Sequence, residues 1–119
     1  GHGAIGHATS TDGATWTRVS GPLTGGAVLR GSSVSGRFDT TYVNTPFVLR
    51  DVATADMPCP GINAGDVCYR MWYEGVSLES SYKFRIGHAV SADGLNWTRV
   101  SGAHSTGAAL AENAVSRAM

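Results

Sequence analysis

Apolar and polar residues alternate along this chain in short runs separated by Gly, Asp and Pro, the two-residue period of half-buried strands. Runs at 4–10 and 15–19 flank Thr11-Asp12-Gly13-Ala14. Asp-Gly accepts the positive φ of a tight turn, so this segment predicts a hairpin. The Gly/Ser-rich stretch from 20 to about 41 predicts a loop. The next strand is expected over 43–49, with Val43, Thr45, Phe47 and Leu49 on one face. After a Pro/Gly-rich loop at 57–66 comes a strand over 67–74, where Tyr69, Met71 and Tyr73 face away from Arg70, Trp72 and Glu74. Residues 75–81 turn the chain, and 83–91 with 96–100 predict a second hairpin around Asp93-Gly94.

The second hairpin repeats the first. Residues 5–21 recur as 86–102, 81 positions later and identical at 13 of 17 places, and the register continues into the following loop. A fixed period marks an array of equivalent supersecondary units. The expected organisation is strands three and four of one unit over 1–21, a loop over 22–42, and a complete unit over 43–102. The truncated start of the next loop follows over 103–119. Composition alone would allow a helix from 108, but the register places a loop there. A four-stranded sheet has two apolar faces and must be sandwiched between neighbours. The expected fold is therefore all-β: a β-propeller fragment with one complete four-stranded antiparallel blade plus the last two strands of the preceding blade. The chain reads as an excerpt from a longer repeat protein.

Composition narrows the function classes. Nine basic residues balance nine acidic ones in 119 residues, which gives no electrostatic attraction for nucleic acid or an anionic membrane surface. No apolar run approaches the roughly 18 residues of a membrane span. No cofactor motif occurs, and no cofactor is expected. Cys59 and Cys68, nine apart across turn-forming residues, are expected to form a disulfide. Such a bridge stabilises by about 2–3 kcal/mol. It places the protein in an extracellular or periplasmic compartment; the alternative is two reduced thiols on neighbouring loop ends. No further Cys or His lies at zinc-ligand spacing, so no metal site is expected.

The motifs carry a resemblance. Asp39, Pro46-Phe47-Val48-Leu49, Tyr69-Arg70-Met71-Trp72-Tyr73-Glu74-Gly75 and the segment 86–97 resemble the five-bladed propellers of glycoside hydrolase families 43 and 32, the arabinanase, levansucrase and invertase-like superfamily. Ser-x-Asp-Gly-x-x-Trp is also similar to the Asp-box of sialidases, one residue shorter. The resemblance implies a secreted glycoside hydrolase-like protein acting on poly- or oligosaccharides. Its chemistry would be that of paired carboxylates, one acid and one base or nucleophile. It points to Asp39, ahead of a blade's first strand, and to Glu74 as catalytic candidates. Those families place the functional Asp immediately before the strand's Pro, where this chain has Thr45.

Trp72 and Tyr73 are candidate platforms for sugar rings, although one of the two must face a neighbouring blade. Arg37 and Arg50 are candidate ligands for a polar glycan. The repeated Asp12/Asp93, Trp16/Trp97 and His7/His88 are explained by turns and packing; His2 and His104 lie in loops without an identified partner. Expected partners are carbohydrate and the remaining blades, or other copies of the chain through exposed strand edges. With one blade's acids, the fragment itself is expected to be inactive. A non-catalytic propeller module that binds glycans or proteins is the alternative, and near-identical units favour it.

Overall fold

The structure, a computed structural model, describes residues 3–79 and 83–110. These are all-β, with no α-helix among the described residues. β1 (His7–Thr9) and β2 (Thr17–Val19) pair as an antiparallel hairpin. β3 (Tyr42–Val52), β4 (Val67–Val76), β5 (Phe84–Ser91) and β6 (Thr98–Val100) form a four-stranded antiparallel meander in sequence order. The expected runs thus contain or overlap the observed strands, with β3 and β4 longer, β1, β2 and β6 shorter, and β5 one residue shorter than anticipated. His2, the end of the 75–81 turn and the expected loop after 110 lie outside the described residues.

Alternation sets the two faces of the larger sheet. Tyr69, Met71 and Tyr73 share one face with Val48, Gly87 and Ala89, while Arg70, Trp72 and Glu74 share the other with Phe47, Leu49 and His88. One expected grouping needs correction. A bulge between Asn44 and Phe47 inserts an extra residue into β3, so Val43 shares a face with Val48 and not with Phe47 and Leu49. Pro46 has no N–H for the ladder, and Thr45 takes a left-handed φ of 50° at the irregularity.

The main core lies over the first face, between the two sheets. It comprises Ile5, Val28 and Leu29 from the first hairpin and its loop, Phe38 and Val43, Met71 and Tyr73, Ala89 and Ala108. A smaller cluster of Ala53, Cys59, Cys68 and Val90, joined by Ile62 and Val100, covers part of the second face. The Cys59–Cys68 disulfide closes the β3–β4 loop there, as expected.

Sequence repetition is matched by hydrogen-bond repetition. Ile5 N–H donates to Leu29 O (2.9 Å) and Ile5 O accepts from Val28 N–H (2.8 Å); Ile86 N–H donates to Leu110 O (2.9 Å) and Ile86 O accepts from Ala109 N–H (2.8 Å). Residues 108–110 therefore continue an extended loop that folds back on its own hairpin. No helix begins there.

Candidate functional site

Asp39, the leading catalytic candidate, sits in a closed knot. Its side chain is fully buried against the first face of the sheet. Tyr73 Oη donates to Asp39 Oδ2 at 2.7 Å, and Arg99 Nε donates to the same oxygen at 2.8 Å. The other arm of the Arg99 guanidinium donates to Arg30 O, and Ser32 N–H donates to Asp39 O at 2.8 Å. A buried charge is tolerable when it is paired and hydrogen-bonded in this way. Burial and the neighbouring carboxylate push the Tyr73 phenol well above its ordinary range. The knot ties β4, β6 and two loop segments together.

The same packing disposes of one expected sugar platform. Tyr73 is only 1% exposed, and its ring stacks on Phe38 with centroids 5.9 Å apart. Gly87 makes room for the pair: a Cβ there would lie 2.3 Å from Phe38 Cζ and 2.6 Å from Tyr73 Cζ. Tyr73 therefore offers no ring face to a ligand, and Asp39 offers no oxygen. Arg37 is similarly engaged, donating to Ser101 Oγ at 3.0 Å where the two inter-strand loops meet. Arg50 is exposed beside Tyr69 on the first face.

A different group of side chains remains accessible on the second face. Thr45 Oγ1 lies 3.2 Å from Glu74 Oε1 and 3.1 Å from Asn44 Oδ1, so its one proton can serve either oxygen. Phe47 stands beside Trp72 across the strand pair and is 61% exposed. Trp72, half-buried, stacks nearly parallel on His88 with centroids 5.0 Å apart. Burial and, secondarily, the Arg70 charge lower the His88 pKa. Two carboxamide or carboxylate groups, a hydroxyl and flat aromatic faces thus form one strip. Thr45 holds a backbone conformation that costs about 1–3 kcal/mol, the kind of strain found at functional sites.

Of the residues expected from sequence, the strip includes Trp72 and Glu74; Asn44, Thr45 and Phe47 join them unanticipated. The signal for the latter was Thr45-Pro46 inside a strand, which calls for a bulge. Asp39 and Glu74 are not brought together. Tyr73 and Glu74 are consecutive in β4 and point to opposite faces, so the sheet separates the two carboxylates. They cannot flank one glycosidic bond, which needs carboxyls about 5–10 Å apart with access to the same sugar.

Arg70 was also missed. It is 4% exposed, pairs with Asp51 at 3.0 Å and donates to Met57 O at 2.7 Å, anchoring the disulfide loop. The repeated hairpin turns are local clasps. Asp93 Oδ1 accepts from Leu95 N–H (2.9 Å) and Asn96 N–H (2.8 Å), while Trp97 Nε1–H donates to Gly94 O (3.0 Å). Asp12 and Trp16 make the equivalent bonds. Those N–H groups hold both carboxyls below the ordinary carboxylate range. Among the described residues no group of three or more His, Cys, Asp or Glu could hold a metal ion. Comparison with family models, curated proteins and solved structures finds no match.

Proposed function

We propose that this chain is a blade and a half of a β-propeller that binds glycans without cleaving them. The accessible strip on the second face carries the reading: Phe47 gives a flat apolar surface, and Asn44, Thr45 and Glu74 give donors and acceptors for sugar hydroxyls. The similarity of the motifs to carbohydrate-handling propellers supports the ligand class. Two like hairpins, the second within a four-stranded meander and the first packed over it, support the blade reading. The disulfide supports an extracellular or periplasmic setting. Catalysis is disfavoured because Asp39 is enclosed and lies across the sheet from Glu74.

A second reading, that the complete protein is a paired-carboxylate glycosidase, is favoured by one observation. Thr45 is strained at the position where the resembling enzymes carry a functional Asp. Other blades would then supply the acids.

The test is retention of the purified chain on insoluble arabinan, levan and cellulose, followed by titration with the matching oligosaccharides. We expect retention on at least one polymer and a loss of about tenfold in affinity in Phe47→Ala. Retention on none, or binding indifferent to both Phe47→Ala and Glu74→Gln, refutes glycan binding by this strip. Turnover of aryl-glycosides by the chain would overturn the non-catalytic reading.

A further inference from the structure

The two hairpins are nearly identical in sequence yet stand in different surroundings, and the contrast exposes an unfilled seat. Gly87 of β5 is buried beneath Phe38 and Tyr73, Ala89 is buried in the same core, and both are paired with β4. Their counterparts, Gly6 and Ala8, are exposed, and a Cβ on Gly6 would meet nothing within 4 Å. Among the described residues β1 has only β2 as a strand neighbour, which leaves its outer edge unpaired there. Since Ile5 bonds inward to Leu29 and Val28, alternation turns the N–H and C=O groups of Gly6 and Ala8 towards that free edge. An edge of this kind is a template for another strand.

The electrostatics repeat the contrast. Arg99 is paired with the buried Asp39, whereas its counterpart Arg18 is exposed and has no ion-pair or hydrogen-bond partner among the described residues. Arg18 and Arg30 both line a groove of about 560 Å³ that runs past Gly6 and Ala8. The groove therefore combines a free strand edge, a recess over a glycine, and a guanidinium that lacks the carboxylate its counterpart has.

We infer that this groove is a docking site for a hairpin of the β3–β4 type from another repeat. Its second strand pairs with β1, its Phe and Tyr fill the recess over Gly6, and its Asp, ahead of its first strand, pairs with Arg18. The occupant is defined by chemistry: Phe-Asp before the first strand, and Tyr-x-Met-x-Tyr in the second. The inference rests on the blade part of the reading above and is independent of sugar binding.

The repeat register supplies the experiment, because residue 82 corresponds to residue 1. A copy of residues 37–81 is fused directly ahead of Gly1 with no linker, and amide hydrogen exchange is compared with the chain alone. Docking slows exchange at Gly6 and Ala8 by about 100-fold. Arg18→Gln, or Asp39→Asn in the appended copy only, reduces that protection about tenfold. Gly6→Leu leaves the melting of the unextended chain unchanged, since its side chain meets open space, but abolishes protection of Ala8 in the extended one. Amides of Gly6 and Ala8 that exchange equally fast in both proteins overturn the inference. So does protection that survives both Gly6→Leu and Arg18→Gln. Glycan retention, read on the same proteins, reports separately on the Phe47 strip.

Discussion

Replacing Asp39 by Asn separates a structural carboxylate from a catalytic one. The substitution keeps an acceptor for the Tyr73 hydroxyl but removes the charge opposite Arg99. Truncating one partner of a buried ion pair costs about 3–5 kcal/mol when the survivor is left fully buried. Arg99 retains its bond to Arg30 O and is 25% exposed, so water can partly rehydrate the guanidinium. The expected loss is therefore smaller, about 2–3 kcal/mol. With a urea m-value of about 1–1.5 kcal/mol/M for a domain of this size, the unfolding midpoint falls by roughly 2 M. That is a large share of the ~5–15 kcal/mol available to a small domain.

The assay is equilibrium urea unfolding followed by Trp fluorescence. The double variant Asp39→Asn/Arg99→Gln should lose clearly less than the sum of the single losses, because the two side chains act as one unit. A catalytic acid behaves differently, since its replacement usually leaves stability unchanged or raises it. A change in Asp39→Asn of less than about 0.5 kcal/mol, typical of an ordinary surface site, would refute the knot.

Four further outcomes follow from the same packing. Gly87→Ala should lose about 1–3 kcal/mol by overpacking against Phe38 and Tyr73, whereas Gly6→Ala should be neutral in thermal melts. Reduction of Cys59–Cys68 should cost about 2–3 kcal/mol in urea titrations with and without reductant and free the loop that Arg70 anchors. The carboxyls of Asp12 and Asp93 lie below their ordinary 3.8 in the fold. Their stabilisation is therefore complete above that pH and fades as pH falls through the depressed values; Asp93→Asn should flatten acid unfolding between pH 4 and pH 2. His88 lies below its ordinary 6.5, so the fold favours neutral imidazole and loses stability as pH drops beneath that value. A His88→Gln variant should lose that slope in stability measured from pH 7.5 to pH 5.

Strand order was legible because two-residue alternation and Asp-Gly turns are local signals, and the hairpin repeat fixed 108–110 as loop against their helical composition. The disulfide was legible from turn residues between two cysteines. What escaped was non-local. Nothing in the spacing of Phe38-Asp39, Tyr73 and Arg99 says that they meet, because they come from a loop and two strands that only the folded sheet brings together. Alternation puts Arg70 on the face of Trp72 and Glu74, but only the fold closes the disulfide loop over it. The β3 face assignment failed at one residue, Thr45, since strict alternation cannot register a bulge. That same residue shifted the accessible strip onto Phe47.

The repeated hairpin explains how one short sequence can serve two surfaces. His7, on the first hairpin, lies with its Cε1 3.6 Å from where a Cβ on Gly94 would be, over the clasp of the second hairpin. His88 is the same residue one unit later, and it stands on the second face of the larger sheet, stacked on Trp72. If each unit sits on its neighbour as the first hairpin sits on the second, His88 and Trp72 would meet the Asp-Gly clasp of a following unit. Phe47 lies across Trp72 from His88, one strand farther over, and Asn44 and Thr45 lie beyond the bulge. The second face thus divides between a β5 side suited to packing and a β3 side suited to a ligand, with Trp72 of β4 between them. Binding lost in Phe47→Ala but retained in His88→Gln would place the ligand on the β3 side of that divide.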